Sequence, residues 1–123
     1  MAQNELQVTI KAQELSEHTI RVTSNCNTYP KKYRFSLVTK MQNIALDIYI
    51  YLMEANRTDL KLYARERSEL QTKAITNCDI LMSLIEMSYR LNIINDKRMG
   101  YWSKMVKDVK HMAIAWRTKD KKR

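Results

Sequence analysis

A chain of 123 residues, 45% hydrophobic and 28% charged, has the make-up of one modest globular domain rather than a disordered segment. A single Gly and a single Pro exclude most β-rich folds and phosphate-cradling loops, because tight turns and such loops need these residues. The formal charge of +9 is uneven: residues 97–123 hold ten Lys/Arg against Asp108 and Asp120, a net of +8, which leaves residues 1–96 close to neutral.

The first predicted element is a helix over about residues 8–25, with Leu15, Thr19 and Val22 inward. The stretch "LQVTI" alternates apolar and polar side chains and also fits a short strand. With no partner strand in sight, the expectation is a helix or a frayed terminus. The second helix, about 30–56, repeats apolar side chains at Leu37, Met41, Ile44, Ile48, Leu52 and Ala55, in steps of four and three that share one face. Asn27 and Thr28 are cap-type residues, and Pro30 is expected in the first turn, where a missing N–H costs nothing. Tyr49 and Tyr51 cannot both lie on the Ile48/Leu52 face, so one is expected to be half-exposed, as at an oligomer contact.

"NRTD" at 56–59 reads as a turn, with Thr58 or Asn56 available as a cap. The third helix, about 59–92, carries Tyr63, Arg67, Leu70, Ala74, Cys78, Leu81, Ile85, Ser88 and Leu91 at helical spacing. Lys61, Arg65, Glu69 and Lys73 follow one another at i,i+4 along an outer face. Arg67 stands where an apolar residue is expected. Three readings stay open: it snorkels outward, pairs with a carboxylate such as Glu54, or enters a subunit interface. The fourth helix, about 95–118, starts with Asn95 as its cap and carries Trp102, Met105, Val109, Met112 with Ala113, and Trp116; residues 118–123 form a basic tail. Four amphipathic helices with short connections specify an all-α, antiparallel up-down four-helix bundle, a single domain over 1–123.

Chemistry-bearing patterns are sparse. His18, His111, Cys26 and Cys78 stand singly, without the paired spacing of a zinc site, so no metal is expected, and Cys78 reads as a small core residue. Glu54, Glu66, Glu69 and Glu86 lack the Glu-x-x-His pairs of di-iron bundles. No nucleophile elbow is present, so neither catalytic residues nor a cofactor is expected. The polar N-terminus carries no leader pattern, and the longest apolar run, "IALDIYIYLM", is broken by Asp47. The expectation is a cytoplasmic protein with free thiols and no membrane span. The aromatic residues read mostly as core or interface. The basic segment points to a polyanion, nucleic acid first, and an acidic protein or membrane surface second. Lys107, Lys110 and Arg117 fall on one side of the fourth helix, with Lys104 and His111 on an adjoining line. Phosphate contacts from such a face supply affinity and little sequence specificity.

The block "YPKKYRFSLVTKMQNIALDIYIYLMEAN" (29–56), then "SELQTKAITNCDILMSLIEMSYRLNII" (68–94) and a Trp102…Trp116 helix with a basic end, resembles the accessory variability determinant family of diversity-generating retroelements. The resemblance spans about residues 8–118, and its most specific pieces are the Tyr-Pro-Lys-x-x-Arg-Phe block and the "EAN" that closes the second helix. The sister family encoded in ribosomal-RNA intervening sequences shares the bundle. It usually carries a Ser-Ile-Pro-Ser-Asn-Ile-Ala-Glu-Gly-like block where this chain has "NIALDIYIYLMEANRT", with neither Pro nor Gly. The resemblance implies a cytoplasmic, bacterial or phage-encoded, non-enzymatic bundle that assembles as a homopentameric barrel. It also implies binding to the element's reverse transcriptase and to template RNA and DNA, in support of mutagenic retrohoming. Arg34 lies in the family block. Arg65, Arg67, Arg90, Lys104, Lys107, Lys110 and Arg117 come from the charge pattern, and are expected to line or rim the barrel and hold phosphates. A structural bundle whose basic helix docks an acidic protein is the other functional class.

Overall fold

A computed structural model describes residues 3–123, with side chains from residue 7 onward. It is all-α, with four helices: α1 (Gln3–Ser24), α2 (Thr39–Arg57), α3 (Ala64–Arg90) and α4 (Asp96–Lys121). No strand occurs among the described residues, and "LQVTI" is helical throughout. Among the described residues no helix is long and apolar enough to cross a membrane.

Each helix packs on its neighbours in sequence, and α1 packs on α4, which closes the ring of four. Cross-helix bonds give the directions. Thr72 pairs with Arg117 and Asp79 with Lys110, so α4 runs against α3. Ser16 reaches Ala45 and Thr23 reaches Gln42, so α2 runs against α1. The result is an up-down bundle.

The predicted stripe of α2 is buried from Leu37 to Ala55, and Leu15, Thr19 and Val22 of α1 face the same core. Several polar groups inside are paired to the backbone, while His18 Nε2, Tyr29 Oη and Gln71 Oε1 are buried without a hydrogen-bond partner. Ser16 Oγ lies 3.0 Å from the Ala12 carbonyl and 2.9 Å from that of Ala45, so one hydroxyl proton serves two acceptors. Thr23 donates to the Thr19 carbonyl at 2.7 Å.

The segment before α2 departs from the predicted continuous helix. Pro30 (φ −56°, ψ 152°) is extended and flanks a 3₁₀ turn, Lys31–Tyr33, rather than sitting inside a first helical turn. A π turn, Arg34–Val38, follows. The Arg34 carbonyl accepts from both the backbone N–H of Thr39 and its hydroxyl, the latter at 2.6 Å, and this double acceptance holds the wide turn. The chain reversal ahead of it is ordered by Asn25, whose Oδ1 accepts from Asn27 N–H at 2.9 Å and whose carbonyl accepts from Tyr29 N–H at 2.8 Å.

α3 starts at Ala64, five residues later than predicted. Asp59 Oδ1 accepts from the N–H groups of Lys61 and Leu62, which makes a separate turn and leaves Lys61, Leu62 and Tyr63 outside the helix. Thr58 instead closes α2, its hydroxyl donating to Glu54 O at 2.7 Å. α3 ends in a Schellman motif. Ile93 N–H donates to Ser88 O and Asn92 N–H to Tyr89 O, both at 2.9 Å, with Asn92 in the left-handed region (φ 63°). Asn95 then caps α4 as predicted, accepting from Arg98 N–H at 2.9 Å. α4 continues through the predicted tail as far as Lys121.

Candidate nucleic-acid interface

Seven of the eight basic side chains predicted to hold phosphates divide into four settings. Arg34 is exposed on the π turn and lines a cleft of about 320 Å³ with Lys31, Cys26 and Gln42. Arg65 is exposed in the first turn of α3, its Nε 3.1 Å from Glu69, and so keeps the predicted i,i+4 pair. Arg90, Lys104 and Lys107 come together around one groove between α3 and α4. Lys110 and Arg117 lie further along the same α3–α4 seam. Lys110 Nζ is 2.7 Å from Asp79 Oδ1, and Arg117 donates to Thr72 Oγ1 at 3.1 Å. Lys107, Lys110 and Arg117 thus do face one side of α4, but two of the three are already engaged by α3.

Arg67 belongs to none of these settings. It is buried, and its guanidinium grips the Asp120 carboxylate in a fork, Nε to Oδ2 at 2.8 Å and Nη2 to Oδ1 at 3.1 Å. Nη1 donates to the Thr58 carbonyl at 3.2 Å, the guanidinium lies 4.9 Å from the Trp116 ring centroid, and Gln71 Nε2 donates to the same carboxylate at 2.8 Å. Arg67 therefore pairs inward, with Asp120 rather than Glu54, and is not part of the exposed cationic surface. The same contact orders part of the basic tail expected from residue 118, because the last turn of α4 is docked through Asp120, whose side chain is 7% exposed.

The exposed pairs are weak tethers. Lys104–Asp108 at 3.1 Å and Arg90–Glu86 at 4.0 Å join side chains that are mostly in water, so a polyanion can displace these carboxylates at little cost. Among the described residues Lys107 makes no ion pair.

Cations that the charge reading passed over sit at the other end of α4. Lys97 and Arg98 line a cavity of about 380 Å³ with Asn95, Tyr101 and His18. The His18 ring lies 5.4 Å from that of Tyr101 and 5.9 Å, edge-on, from that of Trp102, and its Nε2 is buried without a partner. Burial first, then the Arg98 and Arg21 charges, pushes its pKa below the ordinary 6.5. The folded state therefore resists a proton that the unfolded chain accepts near that pH. The stability this group contributes is full above about pH 6.5 and is lost as the pH falls below it. Urea titrations between pH 7 and 5 should show His18→Gln losing less stability over that interval than the parent chain; equal losses would remove His18 from the account.

Among the described residues no cluster of three His, Cys, Asp or Glu side chains is placed to hold a metal ion. Cys78 is buried and its thiol is pushed up to about 12, mainly by desolvation, while Cys26 is exposed. The chain matches no family model and no curated protein.

Proposed function

We propose that this protein is a non-enzymatic accessory factor of a diversity-generating retroelement, which binds template RNA and DNA through its basic surface and pairs with the element's reverse transcriptase. The observation that carries the reading is the net +8 confined to residues 97–123, on a chain whose 29–56 block resembles the accessory variability determinant family. The exposure of Arg34, Arg90, Lys104 and Lys107 supports it, since phosphate contact needs cations that water can reach.

A homopentamer is part of the same proposal. Ile80 and Met87 of α3, with Leu91 just past its end, are between 42% and 48% exposed and recur at steps of seven and four, which supports a subunit contact on that side. Light scattering with and without a single-stranded RNA oligonucleotide tests both parts. The expected result is a pentamer that gains RNA at low salt. A surface that holds three to five phosphates should lose about 20- to 100-fold in affinity between 50 and 200 mM salt. Lys107→Glu should weaken binding and flatten the salt slope by roughly one phosphate contact. A monomer indifferent to RNA would end the proposal. The second reading, a bundle that docks an acidic protein, is favoured by one observation: the groove around Lys104 and Lys107 has an apolar floor.

A further inference from the structure

The chain's single glycine, Gly100, sits five residues into α4. A glycine inside a helix destabilises it by roughly 0.5–1 kcal/mol relative to alanine, and nothing among the described residues calls for one here. Its φ is not positive, and a Cβ built on it meets nothing within 4 Å. Gly100 lines the α3–α4 groove, about 670 Å³ in volume. Met82 and Tyr89 from α3 and Met99 from α4 form the groove's apolar lining, and all three are half-buried. Arg90, Lys104 and Lys107 add three positive charges around it, and Glu86 one negative charge.

We infer that this groove receives an amphipathic helix of a partner protein, one with a small-residue or leucine face flanked by Asp and Glu. Three features select that occupant. A trough between two antiparallel helices is shaped for a third lying along it, and methionine side chains adapt to an incoming apolar face. The missing Cβ at Gly100 lets an external backbone approach α4 more closely than any other residue would allow. The cationic rim demands acidic flanks, which a second copy of this +9 chain is poorly equipped to provide. Nucleic acid fits less well, because phosphates gain nothing from a methionine floor. The inference deepens the second reading, a bundle that docks an acidic protein, and it fails separately from the nucleic-acid reading.

The test uses a fluorescently labelled 18-residue helical peptide with a Leu/Ala face and Glu flanks. Its controls carry Lys in place of Glu, or a central Pro. The full-length protein should bind the acidic helix and neither control. Gly100→Leu should cut peptide affinity by at least about tenfold, equivalent to about 1.4 kcal/mol, while leaving RNA affinity unchanged. Gly100→Ala should raise Tm by a few degrees, which shows that the glycine is not there for the bundle itself. Lys107→Glu should weaken both ligands. Peptide binding that is blind to Gly100→Leu, or equal binding of the Lys control, would overturn the inference. So would a drop in oligomer mass in Gly100→Leu, which would make the occupant a second copy. RNA binding lost in Gly100→Leu would place nucleic acid in the groove instead.

Discussion

Trp102→Ala is expected to lower the unfolding free energy by about 3–5 kcal/mol, a large share of what a domain of this size possesses. Trp102 is fully buried, and α4 delivers it between α1 and the segment that leads into α2. Its Nε1–H donates to Thr19 Oγ1 at 3.1 Å, and its ring meets Tyr29 edge-on at 6.4 Å and His18 at 5.9 Å. Removing the indole leaves a void beside His18, Thr19 and Tyr29 and takes one partner from the Thr19 hydroxyl, itself fully buried. Trp102→Phe keeps most of the apolar volume and loses the hydrogen bond, so it should cost less, on the order of 1–2 kcal/mol. Urea unfolding can be followed by the fluorescence of the remaining Trp116. A loss below about 1 kcal/mol for the alanine variant would show that the ring is not the keystone of this core.

The second large effect is expected at the far end of the bundle. Asp120→Ala should cost about 3 kcal/mol, because it removes the carboxylate that the buried Arg67 guanidinium holds in a fork. The value falls at the lower edge of the range for broken buried pairs, since the last turn of α4 can fray and readmit water. Replacing both partners by apolar residues, Arg67→Met with Asp120→Leu, should recover part of the loss, because neither charge is then stranded while the buried Gln71 amide still loses its acceptor. The double-mutant cycle measures the coupling directly. A loss under 0.5 kcal/mol for Asp120→Ala, as for an ordinary surface residue, would mean that the pair does not hold the helix end.

Asp120 also shows where sequence reading stops. A carboxylate inside "TKDKKR" looks like one more solvated charge, and although the place of Arg67 on the α3 stripe raises the pairing question, nothing local points to a carboxylate 53 residues away. The stripes were legible because one element's period determines its own buried face: every predicted inward position of α2 is buried, as are Trp102, Val109 and Trp116 of α4. The ends of the stripes misled. Tyr63 and Leu91 continue the α3 period yet are about half exposed, because the Asp59 turn and the Schellman motif end the helix before or at those residues. Fully buried Gln71 went unnoticed, since an amide is assigned inward only once its carboxylate partner is known. The π turn was equally hidden, because it depends on how Thr39 bonds Arg34, which hydrophobic spacing does not encode. For the candidate interface, the face of α4 that bears Lys107, Lys110 and Arg117 was readable. That Asp79 and Thr72 engage two of those cations depends on the register between helices.

The pairing of Arg67 with Asp120 has a consequence in time as well as in energy. Arg67 stands in the first turn of α3 and Asp120 in the last turn of α4, at the ends farthest from the connecting loop. Their contact closes the longest loop between the two helices and is expected to form late. Asp120→Ala should then speed unfolding in stopped-flow urea jumps and leave refolding nearly unchanged. A bond that forms after the folding barrier has been crossed leaves the refolding rate nearly untouched and appears instead in the unfolding rate. The fork at the end of the bundle thus works as a clasp: it prolongs the lifetime of the assembled helices without hastening their assembly.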